Sequence, residues 1–219
     1  MSRARTDTRR RILEATLALL EERGGKGVRM ADIAARAGVT RQAVYLHFAT
    51  RAQLLIAATR HLDEIKGADA RLAPSRAAAT GRERLDAFVA AWGGYLPEIH
   101  AVASALMDAA EEDEAAAEAW RERMQDMREG CAAAIEALAR DGELAPEFSP
   151  AEATDLLWTM LSVRDWERLT GECGWPQRRY VENLTAAARR LFVAGGAARR
   201  ARGGEGRLTP ARPRRSASR

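Results

Sequence analysis

The chain is poor in several things, and each shortage excludes a class of protein. Cysteine appears twice in 219 residues, at Cys131 and Cys173. Two thiols make neither a disulfide framework nor a zinc site, so a pair of reduced, mostly buried side chains is expected. The three histidines are far apart in sequence. His61 and Glu64 stand at i,i+3 on one predicted helix, a spacing that metal ligands use, but a solvated helix face explains them better. No apolar stretch nears the roughly 20 residues of a membrane span. The basic start, Met1 to Arg11, is not followed by the apolar region and cleavage site of a signal peptide. A cytoplasmic protein with no membrane partner is expected. No Ser-His-Asp order, phosphate loop, dinucleotide fingerprint or metal cluster is present, so neither an enzyme nor a cofactor is read. Val, Ile and Thr are sparse, and no alternating apolar run has the length of a strand.

What is present is charge, unevenly spread. The net charge is +4. Residues 1–66 hold 13 Lys/Arg against 7 Asp/Glu, residues 67–196 hold 14 against 23, and residues 197–219 hold 8 against 1. A basic head on an acidic body implies that the head meets a polyanion and the body does not. The positive charge is arginine almost throughout, Lys26 and Lys66 being the two lysines.

The periodicity is helical, giving an all-α fold class: a three-helix head with a fourth connecting helix over 1–66, and a helical body over 81–196. A basic tail, 197–219, has little to bury and reads as disordered. The first helix is expected over Asp7–Arg23, with Ile12, Leu13, Thr16, Leu17 and Leu20 on one stripe. The next runs from Met30 to Ala37 and is ended by Gly38. Thr40 caps a third helix, and a fourth starts near Arg51. Residues 67–80 read as a connection. In the body, one helix carries Leu85 to Leu96, and Pro97 is expected to end it and open another. The acidic run Glu111–Glu114 reads as a solvated turn. A long helix then reaches about Asp141. Ser149-Pro150 opens a helix that runs to about Gly171, and Trp175-Pro176 opens the last.

Residues 33–48 read IAARAGVTRQAVYLHF: helix, glycine turn, capping Thr, helix, which is the helix-turn-helix unit. At 100° per residue, Val44 and Phe48 fall on one arc with Ala43 and His47. Arg41, Gln42, Tyr45 and Leu46 fall on the opposite arc. Arg41 and Gln42 therefore face outward at the helix start, the end that reaches base edges in the major groove. Arginine pairs two-pronged with guanine, and glutamine with adenine. Thr40, His47 and Arg51 suit phosphate. Tyr45 also fits a packing role, and His47 a structural one.

The segment from Arg9 to Leu55, with its pieces RRRILEATLALLEERG and ADIAARAGVTRQAVYLHFATRAQLL, resembles the DNA-binding domain of the TetR family of bacterial regulators. The resemblance implies a homodimer with a helical effector domain, read as a repressor that a small molecule releases from a pseudo-palindromic double-stranded operator. The alternative is a DNA-binding regulator without a small-molecule effector, or an activator. It implies base contacts from Arg41, Gln42 and Ala43, and backbone contacts from Tyr45, His47 and Arg51. Arg29 departs from the Thr or Ser that commonly caps the second helix; it binds phosphate directly or leaves that end weakly capped. The stretch from Asp155 to Leu184 resembles the family's last two helices, which form a four-helix bundle with the partner. The Leu157 and Leu184 stripes fit that bundle or an internal core.

The body also holds large, adaptable side chains at helical spacing: Trp92, Tyr95, His100, Met107, Trp120, Met124, Met127 and Trp158. These read as plain core or as the wall of a cavity for a mostly apolar effector, with Tyr95, His100 and Arg164 as polar anchors.

Overall fold

A computed structural model describes residues 3–195. The basic tail expected at 197–219 lies outside the described residues. Among them, helix is the regular structure, apart from one isolated antiparallel bridge between Leu144 and Val193.

The head contains α1 (Arg3–Glu22), α2 (Met30–Ala37), α3 (Arg41–His47) and the start of α4 (Arg51–Lys66). Ile12, Leu13, Thr16 and Leu20 of α1 are buried as their spacing requires, together with Ile33 and Ala34 of α2 and Val44 and Phe48 around α3. Thr16 satisfies its own buried hydroxyl by donating to the Ile12 carbonyl at 2.8 Å. Gly38 ends α2 with φ +64°, and its N–H donates to the last turn of the helix. A side chain there would carry a left-handed penalty of about 1–2 kcal/mol. Thr40 then caps α3 by accepting from the Ala43 N–H at 3.1 Å, and Thr50 caps α4 from the Gln53 N–H at 3.1 Å.

The cap of α2 is different. A guanidinium has no acceptor, so Arg29 leaves the early N–H groups without a side-chain partner. Asp32 supplies the reciprocal half, accepting from the Arg29 N–H at 3.3 Å.

Residues 67–80 are not an open connection. They coil into two single turns, α5 (Ala68–Arg71) and α6 (Ala73–Arg76), held to the body by Ser75 Oγ donating to the Arg84 carbonyl at 3.0 Å. The body is α7 (Gly81–Ala110), α8 (Glu114–Arg140), α9 (Pro150–Met160), α10 (Val163–Glu167) and α11 (Gln177–Phe192). Head and body meet closely where Gly25, at φ +83°, abuts α7: a Cβ there would sit 2.6 Å from the Ala101 carbonyl oxygen.

Three expectations need correction. First, Pro97 does not split the helix; α7 runs through it. Proline removes the donor to the carbonyl four residues back, here Gly93. That carbonyl is instead satisfied by the Gln177 Nε2 amide of α11 at 2.8 Å. Second, the helix expected from Ser149 to Gly171 breaks after Met160. Ser162 caps a new start by accepting from the Asp165 N–H at 3.1 Å. The kink buries Leu161 and Val163 on either side of it. A π-helical turn, Arg168–Glu172, follows. Third, Cys173 is exposed beyond that turn while Cys131 is buried, and burial pushes the Cys131 thiol up to about 12.

The Leu157 and Leu184 stripes also resolve. Both residues are buried within the chain's own core, so they pack α9 and α11 onto the body. The exposed apolar side chains of those two helices are Leu156 and Leu191.

Gln177 also accepts from the Trp166 indole N–H at 2.8 Å, so its truncation breaks two bonds. Gln177→Ala should lower unfolding stability by about 1–3 kcal/mol, the cost of stranding buried polar groups. In a Pro97→Ala background the loss should be smaller, because alanine restores a backbone donor to Gly93. Urea melts of the four proteins measure the coupling, and equal losses in both backgrounds would refute the compensation.

Candidate nucleic-acid interface and core cavity

On α3 the two arcs separate as the wheel requires. Val44 and Phe48 are buried, and Ala43 and His47 lie between. Arg41 and Gln42 are exposed, Tyr45 is 40% exposed and Leu46 73%. The Arg41 guanidinium lies over the Tyr45 ring at 5.5 Å and 3.4 Å from its hydroxyl, so the two exposed side chains order each other. Leu46 is an exposed apolar group on the same arc, where the wheel places it without assigning it a role.

The head's carboxylates are spent on internal partners. Asp32 pairs with Arg23 at 2.8 Å, and Glu22 with Arg36 at 2.6 Å. Both carboxyls are held below their ordinary range, chiefly by those side-chain hydrogen bonds. Arg41 and Arg51 have no carboxylate within ion-pair distance among the described residues. Arg29 sits 80% exposed, 3.4 Å from Asp32. Thr40 is used as a cap, yet it remains exposed. His47 is half-buried, and its pKa is lowered by burial and then by Arg5 and Arg9. Those two arginines of α1 were not singled out from sequence. The Arg9 guanidinium lies 5.1 Å above the Phe48 ring, which brings the start of α1 beside the end of α3.

The body holds a partly open cavity of about 260 Å³. Trp92, Met107, Trp120, Met124, Met127, Trp158 and Arg164 all line it, so seven of the nine residues read as a wall come together. It is larger than the engineered cavity of about 150 Å³ that takes up benzene. Tyr95 and His100 are not in the wall. On α7 the wall is made by Trp92, Ile99, Val102, Ala103 and Met107, and Tyr95 and His100 are held elsewhere by their own partners. Tyr95 turns to α4, donating to Asp63 Oδ1 at 2.8 Å. His100 stacks on Trp166 at 4.9 Å.

Sequence reasoning missed wall residues, two of them on elements that matter most. Thr59 of α4 and Arg123 of α8 both line the cavity. Arg123 grips Asp63 of α4 with two prongs, Nη1 to Oδ2 at 2.7 Å and Nη2 to Oδ1 at 3.3 Å. The contact spans 60 residues, and local spacing carries no signal for it. The end of α4 is fastened again through Glu98 of α7, which pairs with Lys66 at 3.0 Å and Arg71 at 2.7 Å. Among the described residues no cluster of His, Cys, Asp and Glu suits a metal ion, and no helix is long and apolar enough to cross a membrane. His61 lies 3.9 Å from Glu64.

Residues 12–58 match the family model described as Bacterial regulatory proteins, tetR family. No curated protein matches the chain in sequence. Solved structures do match in fold. A transcriptional regulator from Saccharomonospora viridis, in complex with choline, superposes with TM-score 0.74 at 23% identity, over 87% of this chain and 100% of that one. NalD of Pseudomonas aeruginosa, the secondary repressor of the MexAB-OprM multidrug efflux pump, gives 0.64 at 24%, over 86% and 98%. A further regulator from Pseudomonas aeruginosa PAO1 gives 0.67 at 25%, over 88% and 92%. The helix-turn-helix head, residues 12–58, is thus similar to the tetR family of bacterial regulatory proteins, and the helical frame of the whole chain is the fold of these solved regulators.

Proposed function

We propose that this regulator is a cytoplasmic homodimeric repressor. Its two heads read half-sites of a pseudo-palindromic operator, and a small, mostly apolar effector in the core cavity releases it. The observation that carries this reading is the position of α4. Its first residue, Arg51, follows the α3 cap region, while Thr59 two turns later lines the cavity. One rigid helix therefore joins what would touch DNA to what would touch the effector. The domain division at 66 and 81 is kept in this reading, with α4 as the shared element.

In the head, Arg41 and Gln42 read base edges with Ala43 between the arcs, and Arg29, Thr40, Tyr45, His47 and Arg51 hold the backbone. The dimer forms through α9, α10 and α11, with Leu156 and Leu191 as exposed apolar contacts. Two-fold symmetry in the protein matches two-fold symmetry in the operator. In the body, Trp92, Met107, Trp120, Met124, Met127, Trp158 and Arg164 hold the effector. A partly open apolar cavity beside α4 favours this over a regulator that ignores small molecules.

The DNA contacts divide by chemistry. Arg41→Ala should cost about 1–3 kcal/mol on the cognate site and relax base preference at one position of each half-site. Arg51→Ala should weaken binding to all sequences alike and reduce the salt slope by about 1. Gel shifts on the DNA upstream of the protein's own gene and on scrambled DNA, over a salt series, read both. Unchanged base preference in the Arg41 variant would sink the assignment.

His47 gives a pH signature. Burial, Arg5 and Arg9 depress its pKa in the free protein, whereas a bound phosphate would stabilise the imidazolium and raise it. A group whose pKa is higher in the complex adds affinity as pH falls through that higher value, with the full gain below the free-protein value. Operator affinity should therefore rise between about pH 8 and pH 6, and His47→Gln should flatten the trend. A flat wild-type profile would contradict the phosphate contact.

For the cavity, Trp120→Ala and Met124→Ala should raise the effector concentration needed for operator release roughly fivefold or more, as expected for losing apolar contact. Operator affinity without effector should stay at the wild-type value. Wild-type release in both variants would place the effector elsewhere.

A further inference from the structure

A second cavity of about 390 Å³ lies beside the first, and Trp92, Arg123 and Met127 belong to both walls. This second space is bounded by Asp63 and Glu64 of α4, by Tyr95, and by Ala68 and Leu72. The shared partition carries hydrogen-bond donors. The Trp92 indole N–H is buried and has no acceptor among the described residues, an arrangement that leaves an unpaired donor out of water. Arg123 offers donors alone, and its acceptor is Asp63. Asp63 and Arg123 are each about a quarter exposed, so neither is sealed in place. Among the described residues no carboxylate lines the core cavity, while two arginines, Arg123 and Arg164, do.

We propose that the effector is an apolar acid whose carboxylate accepts from Arg123 and the Trp92 N–H in place of Asp63, and so unfastens α4 from α8. This rests on the core cavity being the effector site. A carboxylate suits the planar, two-pronged guanidinium better than a neutral acceptor does. Asp63 is not stranded by the exchange. It keeps the Tyr95 hydroxyl. Tyr95 stays a donor, because burial and then Asp63 push its pKa upward. The tryptophan faces of Trp92, Trp120 and Trp158 would also attract a quaternary ammonium, the chemistry of the choline held by the Saccharomonospora regulator. Among the described residues, the core cavity itself presents guanidinium donors and no carboxylate to such a cation, although Arg123 and Arg164 are paired with Asp63 and Glu167 outside its wall.

Three probes with one alkyl length separate the readings: octanoate, octan-1-ol and octyltrimethylammonium, titrated into the full chain by calorimetry and tryptophan fluorescence. Octanoate should bind roughly tenfold tighter than octan-1-ol, with the ammonium weakest. Asp63→Asn, which removes the competing carboxylate, should tighten octanoate severalfold and not octan-1-ol. Arg123→Gln should bring octanoate to the affinity of octan-1-ol. Because that variant leaves Asp63 unpaired, Asp63→Asn with Arg123→Gln is measured beside it and should lose the preference equally. Equal binding of octanoate and octan-1-ol, tighter binding of the ammonium, or a preference that survives in the double variant overturns the proposal while leaving the effector cavity standing. No binding of any probe overturns both.

Discussion

A proline inside a helix removes one donor and leaves the carbonyl four residues back to find another. The body of this protein is organised around that single acceptor. α7 touches α1, α4, α6, α8, α10 and α11, so a break at Pro97 would part the elements that pack before it from those that pack after it. The cavity wall has the same dependence. Trp92 lies before Pro97, and Ile99, Ala103 and Met107 lie after it. They form one stripe only because the helix continues. Gln177 makes that continuity tenable by donating to Gly93 while accepting from Trp166. One amide thus fastens α7, α10 and α11 together.

Charge divides the molecule as firmly as packing does. In the head, Asp32 and Glu22 are consumed by Arg23 and Arg36, which leaves Arg41 and Arg51 without ion-pair partners among the described residues. An unpaired exposed cation is worth little to stability, but it keeps its field for a polyanion. In the body, several arginines are paired across helices and loops: Arg82 with Glu143 at 2.5 Å, Arg128 with Asp155 at 2.6 Å and Arg123 with Asp63 at 2.7 Å. These pairs orient helices, and they leave little positive field to compete with the head for DNA.

What could be read from the sequence follows from how local each cause is. The helix-turn-helix was legible in detail, because Gly38, Thr40 and the alternation of Val44 and Phe48 with Arg41 and Tyr45 act within a few residues of one another. Seven cavity residues were legible because they share helical stripes. The failures are the non-local terms. Pro97 reads as a break unless Gln177, far along the chain, is known to rescue the helix. Ser162 reads as an ordinary polar position unless the burial of Leu161 and Val163 is known to reward a kink. Leu157 and Leu184 carry the apolar pattern of an interface, yet an interface and a core have the same periodicity. Tyr95 and His100 miss the cavity because they are held by Asp63 and Trp166, partners that a spacing argument does not carry. Arg123 was missed because a charged residue on an acidic helix looks solvated until its partner on another helix is seen.

The fastening of α4 also limits how any signal can pass from body to head. A ligand that binds two arrangements equally shifts nothing, so the switch must be weaker in one state than the other by a definite amount. Replacing one charge-assisted contact by another of similar kind changes the balance by on the order of 1–2 kcal/mol, roughly a five- to thirtyfold shift per subunit. Moving a repressor from almost wholly bound to almost wholly released needs about 5.5 kcal/mol. In a two-fold dimer the exchange at Asp63 counts twice and still falls short. The remainder has to come from apolar surface that the filled cavity buries in one arrangement and not in the other, at roughly 25 cal/mol per Å². Thr59 sits on that wall one turn before Asp63. In the proposed mechanism the same helix would feel both the filling of the cavity and the loss of its ion pair, and the ion pair alone would be too small to move it.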